Sequence, residues 1–458
     1  MRTSDGDRIG VPRSIKVAES AGKLLTIERT PGGAPVAVQS LGKSTSIIAD
    51  TFRRVGGALV GWMTDHGLND VAIDVESVDS VERDMAIRAV AEGLLLRDYR
   101  YDKHKSKRDK RPALQASIVV SKVTPALTKM LAEAVATCGG VITAREVAHR
   151  PPNDLNPITL AQEARALARK HGLKCTVYDE RQLARMKANA ILAVGQASAV
   201  PPRLIVLEYP GRGKSRSERP VVLVGKAVTF DTGGYTLKSA DNILGMKYDK
   251  CGGTTVLGAM QAIAANNVRT PVVGILSAAE NMIAGNAYRP DDIITTMSGK
   301  TVQIVSADAE GRMVLCDALT FAQQRFKPRA LIDVATLTGG VVVALGSETA
   351  GIMSNNEELQ QTLIECGRRV HERLWPLPIW DEYFELLRGD DSDMKNSAGR
   401  EAHAIQGGVF LKQFVDAATP WAHLDIAGVD AITTDRPYCP KGATGFGVRL
   451  LMDYLLRL

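Results

Sequence analysis

The chain has 458 residues, too many for one compact domain, so two are expected. Hydrophobic residues make up 45% and charged residues 24%, which excludes wholesale disorder. A net charge of +6 allows nucleic-acid contact without requiring it. In chain order, short β-like runs at 14–17, 24–27 and 36–38 come first, punctuated by Gly and Pro. Helices are expected at 46–66 and 81–96, and strands at 70–75 and 116–120. In the second helix Ile87, Val90, Ala91, Leu94 and Leu95 recur on one apolar face. The run 99–111 holds Lys103, His104, Lys105, Lys107, Arg108, Lys110 and Arg111. It reads as a solvated surface loop, with nucleic-acid contact as the alternative. Residues 1–123 therefore form a small N-terminal α/β domain, and 124–150 a linking helix. That helix ends at Arg150-Pro151-Pro152-Asn153, because a residue before proline leaves the α region.

Residues 151–458 are expected to form the larger catalytic domain. Helices at 157–171, 180–187, 254–264, 311–325, 356–373, 407–417 and 444–457 are interleaved with strands at 174–178, 203–208, 221–225, 271–277, 330–335 and 421–426. This alternation predicts an α/β fold with a mostly parallel central sheet flanked by helices. The six cysteines are scattered with no CxxC pair, which argues for reduced thiols and against a cysteine zinc site. The opening MRTSDGDRIGVPRS lacks the apolar stretch of a secretory signal. No apolar run is expected to approach the roughly 20 residues of a membrane span. A cytoplasmic protein without a membrane partner is the expectation.

Within residues 221–319, Asp231, Asp249, Asp308 and Glu310 stand out beside Lys226, Lys238 and Arg312 in glycine-rich surroundings, whereas Asp241, Asp291 and Asp292 read as surface or capping acids. Carboxylates sharing one cavity raise each other's pKa and resist burial unless cations hold them. Lys226 and Asp231 are expected just beyond an apolar strand, where ligands gather in open α/β sheets. Asp308, Glu310 and Arg312 are spaced by two and would share one side of an extended chain. A set of oxygen donors without histidine or cysteine suits magnesium, manganese or carboxylate-bound zinc. Two such ions roughly 3.5–4 Å apart can share a hydroxide and clamp a developing oxyanion. Lys238 and Arg312 remain as positive groups for the substrate. Taken singly, Asp249 reads as a surface or capping acid, Asp308 as a helix cap, and Arg312 as a partner for Glu310. Their combination favours a two-metal hydrolase.

Several ordered stretches resemble the cytosolic leucyl aminopeptidase family: VGKAVTFDTGGYTLK, MKYDKCGG, ENMIAGNAYRPDDIITTMSGKTVQIVSADAEGR, DVATLTGG, FLKQFV and WAHLDIAGV. The resemblance covers residues of roughly 140–458, and the N-terminal part matches in type only, as the smaller α/β domain that family carries. The resemblance implies a metal-dependent exopeptidase that releases single N-terminal residues, leucine-type, from peptides. It implies Asp231 and Glu310 as ligands bridging two ions, manganese or zinc with magnesium a third candidate. Lys226 and Asp249 would complete one ion's site and Asp308 the other. A lysine ligand must be neutral, which a nearby cation and burial both promote. Lys238 would polarise the scissile carbonyl and stabilise the oxyanion. Arg312 would hold a bicarbonate serving as general base. Thr336 and Leu337 would align the peptide backbone, and Met246 would wall the side-chain pocket. A homohexamer built from two trimers is also implied.

Three departures stand out. Ser306-Ala307 replaces the family's Asn-Thr, Lys250 follows Asp249 where an apolar residue is usual, and Gly253-Thr254 replaces a small-residue pair. None removes a ligand; they bear on side-chain preference and metal affinity. Gly213-Lys214-Ser215 echoes a phosphate-binding loop but has Glu208 where that loop needs glycine. The seven histidines show no HExxH spacing, and His423 reads as a buried structural residue. Two alternatives carry other expectations: a two-metal hydrolase of phosphoesters, and a DNA-binding or regulatory protein using the basic run. Nucleic acid is allowed as a partner but not expected.

Overall fold

The computed structural model describes residues 24–29, 35–39, 47–74, 83–109, 112, 114–212 and 218–458. The run at 14–17, Lys110, Arg111 and Gly213-Lys214-Ser215 lie outside the described residues. Two compact units are present, Met1–Cys138 with Thr434–Lys441, and Gly139–Thr433 with Gly442–Leu458.

In the first unit the strands Leu24–Arg29 and Pro35–Gln39 pair antiparallel, and Asp70–Asp74 pairs parallel with Gln115–Val119. Helices Ala49–Asp65 and Arg83–Arg97 pack through Phe52, Met63, Ile87, Val90 and Leu94, close to the face read from the sequence. Among these apolar side chains Glu92 is buried against Arg53 at 2.6 Å and Arg88 at 2.9 Å. The basic loop exposes Lys103, His104, Lys105, Lys107 and Arg108.

The second unit is built on an eight-stranded sheet. Its spatial order is Leu374–Pro376, Ala350–Ser354, Trp421–Asp425, Ala330–Ala335, Val221–Asp231, Val272–Asn281, Arg203–Tyr209 and Lys174–Tyr178. The four central strands, from Trp421–Asp425 to Val272–Asn281, are parallel throughout. Antiparallel junctions join the wings on both sides, so the parallel sheet expected from the sequence is the centre of a mixed one. Alternation along the central strands feeds two cores. Val221, Leu223 and Ala227 join one, with Val256, Met260 and Ile263 of the helix Cys251–Ala265. Val222, Val224 and Val228 join the other, with Met313, Leu315 and Leu319 of the helix Glu310–Phe326. Burial on both faces is why these strands read as continuous apolar runs. Trimming one such side chain, as in Leu223→Ala, costs about 2–5 kcal/mol.

Contrary to the expectation from the sequence, one helix among the described residues, Pro125–His149, is long and apolar enough, by length and composition alone, to cross a membrane. Its C-terminal half is tied into the second unit instead. Thr143 Oγ1 donates to Gln261 at 2.8 Å and Arg145 Nε to the Thr444 carbonyl at 2.8 Å. The helix expected at 407–417 lies at His403–Lys412, and beyond it the Gln413, Phe414 and Val415 N–H groups bond three residues back as the chain tightens out of the helix.

Candidate metal centre

The central strands end together, and their ends carry the polar residues. Asp231, Asn281 and Asp425 are each the last residue of a strand, and Thr336 follows Ala335. The strand from Val221 continues to Asp231, so Lys226 lies within it and Asp231 ends it, correcting the expectation that both follow it. The cause is pairing: Val272–Asn281 runs alongside as far as Asn281, across a register shift between Val228 and Phe230. Such a bulge re-aims the side chains beyond it.

A second correction concerns Asp308, Glu310 and Arg312. Glu310 begins the helix Glu310–Phe326, so the three are not on one extended stretch. The helix cap is Ala309, without a side-chain bond, which leaves Asp308 free of a capping role. Helical winding separates the two flanking side chains. Asp308 turns to Lys238, whereas Arg312 Nη1 donates to the Asn396 carbonyl at 2.6 Å and its guanidinium lies 5.8 Å from the Phe410 ring.

The remaining site residues converge. Ligand atoms of Asp231, Asp308 and Glu310 lie within 4.8 Å of one another. Lys226 Nζ is 2.7 Å from Asp249 Oδ1 and 2.7 Å from Glu310 Oε1. Lys238 Nζ is 2.9 Å from Asp231 Oδ2 and also contacts Asp308 Oδ1. Two glycines make these approaches feasible. A Cβ on Gly311 would stand 2.8 Å from Lys226 Nζ, and one on Gly233, at φ +84°, 3.0 Å from Asp308 Oδ1. On the far side, Thr336 Oγ1 donates to Asp249 Oδ1 at 2.8 Å, and its carbonyl accepts from Lys226 at 2.9 Å. Leu337 N–H donates to Asp425 Oδ1 at 3.1 Å. Met246 lies half-buried at the start of the short turn Met246–Tyr248 that leads into Asp249.

Residues that the sequence left unmarked hold this arrangement. Asn281 donates to Asp231 Oδ1 at 2.7 Å and to the Ala307 carbonyl at 2.9 Å. Tyr288 OH donates to the same carbonyl at 2.6 Å. Asn396 fastens the turn before the helix through Val305 N–H at 2.8 Å and the Ser306 carbonyl at 2.7 Å. An asparagine closing the buried run VVGILSAAEN was a readable signal for the first; Asn396 offered none. His423 is buried as expected, sharing a 2.5 Å hydrogen bond with Asp333.

Electrostatically the cluster is short of positive charge. Burial raises the pKa of Asp231, with Glu310 adding to it against Lys238 and Lys226. Burial likewise raises Asp249 well above the ordinary range and lifts Asp308. Burial disfavours both lysine ammonium groups, yet the surrounding acids outweigh it and push their pKa values up. Arg312 is lowered to about 10 by burial, and Lys250 to about 7 for the same reason. Asp249 Oδ2 and Arg312 Nε are buried without a partner. An uncapped carboxylate oxygen beside acids that outnumber their lysines is the pattern a divalent ion satisfies. The donor set fits such ions.

Carboxylates and lysines at the carboxyl edge of a parallel-centred α/β sheet define the class, a metallohydrolase. Comparison with known proteins narrows it. Residues 142–452 match the cytosol aminopeptidase family, catalytic domain, and 11–108 match the same family's N-terminal domain. The chain belongs to the cytosol aminopeptidase family, whose members are metal-dependent aminopeptidases with dinuclear centres. A probable cytosol aminopeptidase of Geotalea uraniireducens is 42% identical over 97% of this chain and 88% of its own length. One of Geobacter sulfurreducens is 42% identical over 96% and 90%. Among solved structures, the bottromycin maturation enzyme BotP in complex with Mn superposes with a TM-score of 0.89 at 33% identity, covering 96% of this chain and 94% of that one. A mutant tomato leucine aminopeptidase gives 0.88 at 32%, covering 96% and 85%.

Proposed function

We propose that the chain is a leucine-type aminopeptidase that releases single N-terminal residues from peptides, using two divalent ions. The observation carrying this reading is the convergence of Asp231, Asp308 and Glu310 within 4.8 Å, bracketed by Lys226 and Lys238. Asp231 and Glu310 would bridge the ions, Lys226 and Asp249 would complete one site, and Asp308 the other. When bound, the pair would supply Lewis acidity and an activated water. Manganese is the first candidate, since a structural relative is described in complex with Mn; zinc and magnesium follow.

The protein's own groups do the rest. Lys226 stands where a ligand must be neutral, so its proton has to leave as ions enter. Lys238, 15% exposed, is free to turn from Asp231 and Asp308 toward a substrate carbonyl, where its ammonium stabilises developing negative charge. Arg312 presents an unpartnered Nε–H from a buried guanidinium, a fitting hold for bicarbonate as general base. Thr336 and Leu337 align the peptide, and Met246 contacts the first side chain. Leucine preference draws support from the tomato relative's name. A cytoplasmic homohexamer of two trimers completes the reading, and light scattering after gel filtration tests the assembly.

The test of function is assay of metal-stripped protein refilled with manganese, zinc or magnesium. Leucine anilide should be turned over only after refilling, and its N-acetylated form not at all. Equal turnover of the blocked substrate, or better turnover of a phosphoester, would overturn the proposal.

A further inference from the structure

Lys250 is one of three departures from the family pattern, none of which the proposed function uses. It is fully buried, at 0% exposure, in the residue directly after Asp249. A lysine head group taken from water is unfavourable unless its donors are met. Here two backbone carbonyls take two of them: Nζ donates to Arg150 O at 2.9 Å and to Lys247 O.

Both carbonyls belong to informative places. Arg150 follows the end of the helix Pro125–His149, where a carbonyl lacks an intrahelical partner. Arg150 is itself fastened, through Nε to Asp154 at 2.8 Å and Nη1 to Glu163 at 2.5 Å. Lys247 lies inside the turn Met246–Tyr248 that delivers Asp249, closed by Asp249 N–H to the Met246 carbonyl at 3.2 Å. The Lys250 backbone is anchored too, since its carbonyl accepts from Thr254 N–H at 2.9 Å at the head of the helix Cys251–Ala265. The side chain thus struts a short turn against a fixed helix end. In front of the strut, Thr336 Oγ1 and Lys226 Nζ hold Asp249 Oδ1, and Oδ2 is buried with nothing bound to it.

We propose that Lys250 is a positioning residue: by tying the Lys247 carbonyl to the Arg150 carbonyl it aims Asp249 Oδ2 at one ion of the pair. This rests on the two-ion assignment proposed above. Because Asp249 serves one ion only, loss of the strut should weaken one site and spare the other. A packing defect without that role would lower both or neither.

The experiment is calorimetric titration of metal-free protein with manganese, for wild type, Lys250→Met and Lys250→Gln, each checked for cooperative unfolding. Lys250→Met restores an apolar residue of similar length. It should lower affinity at one of two sites by about tenfold or more, as losing a residue that orients a ligand does, and leave the other within about twofold. Lys250→Gln keeps an N–H donor and should recover part of that loss. If Lys250→Met fails to unfold cooperatively, Lys250→Gln carries the test, with the same selective weakening expected to a smaller degree. Two sites unchanged, or weakened equally, would overturn the role of Lys250 while the two-ion assignment stands. A wild-type protein that takes up fewer than two ions would overturn both.

Discussion

Glu92 and Glu310 are both buried carboxylates, each 1% exposed, and they sit in opposite company. Glu92 has two guanidinium groups, Arg53 at 2.6 Å and Arg88 at 2.9 Å. Glu310 has Lys226 at 2.7 Å, and that lysine also serves Asp249 at 2.7 Å. Asp231 and Asp308 share Lys238 in the same way. A cluster that builds the fold closes its charge. One that builds a ligand site leaves acids in excess, and the excess shows as raised carboxyl pKa values and an unmatched Asp249 oxygen. The contrast predicts that damage to the first cluster is read in stability and damage to the second in turnover.

The largest effect should come from the open cluster. Glu310→Ala and Lys238→Ala should each lower kcat by at least about 10²–10³-fold, the scale of a lost transition-state contact, with folding retained. Steady-state kinetics beside thermal melting checks this, and near-normal turnover would refute the role of that residue. In the closed cluster, Glu92→Ala takes from buried Arg53 its 2.6 Å partner, with Asp50 still 3.9 Å away, and should cost about 3–5 kcal/mol in urea unfolding. Activity per folded molecule should hold. A loss of both would erase the contrast.

Metal loading sharpens it further. Manganese at about 100 times its Kd should stabilise the native state by about 2.7 kcal/mol for each independent site. Melting curves should show that increment in Glu92→Ala and lose it in Asp231→Ala. The smallest effect belongs to a third buried pair. Burial works against a charged His423, but Asp333, hydrogen-bonded at 2.5 Å, outweighs it and raises its pKa above 6.5. A raised histidine contributes stability that is complete below pH 6.5 and fades as pH climbs through its folded pKa. Unfolding free energy should therefore decline above that pH, with the slope reduced in His423→Gln. An equal slope in both proteins would show the pair is not protonated.

The sheet was legible because its central strands are buried on both faces and so written as unbroken apolar runs, VVLV and ALIDVA among them. Its antiparallel wings were not, since strand direction depends on neighbours far away in sequence, as when Arg203–Tyr209 pairs with Val272–Asn281. The acids were legible as a set because four carboxylates with two lysines have no fold-building explanation. Their geometry was less so. Spacing by two suggested a strand at Asp308, Glu310 and Arg312, but the helix starts at Glu310, and helix starts are poorly marked when no Ser, Thr, Asn or Asp caps them. Asn396 reaches the site from 90 residues beyond Ser306, and no local pattern announces such a contact.

Two metal ions held by Asp231 and Glu310 are the feature on which the proposed activity depends. Crystals soaked in manganese and measured at its absorption edge should give two anomalous peaks about 3.5–4 Å apart, with Asp231 and Glu310 reaching both and Asp249 Oδ2 reaching one. A single peak, or peaks away from these side chains, would contradict it.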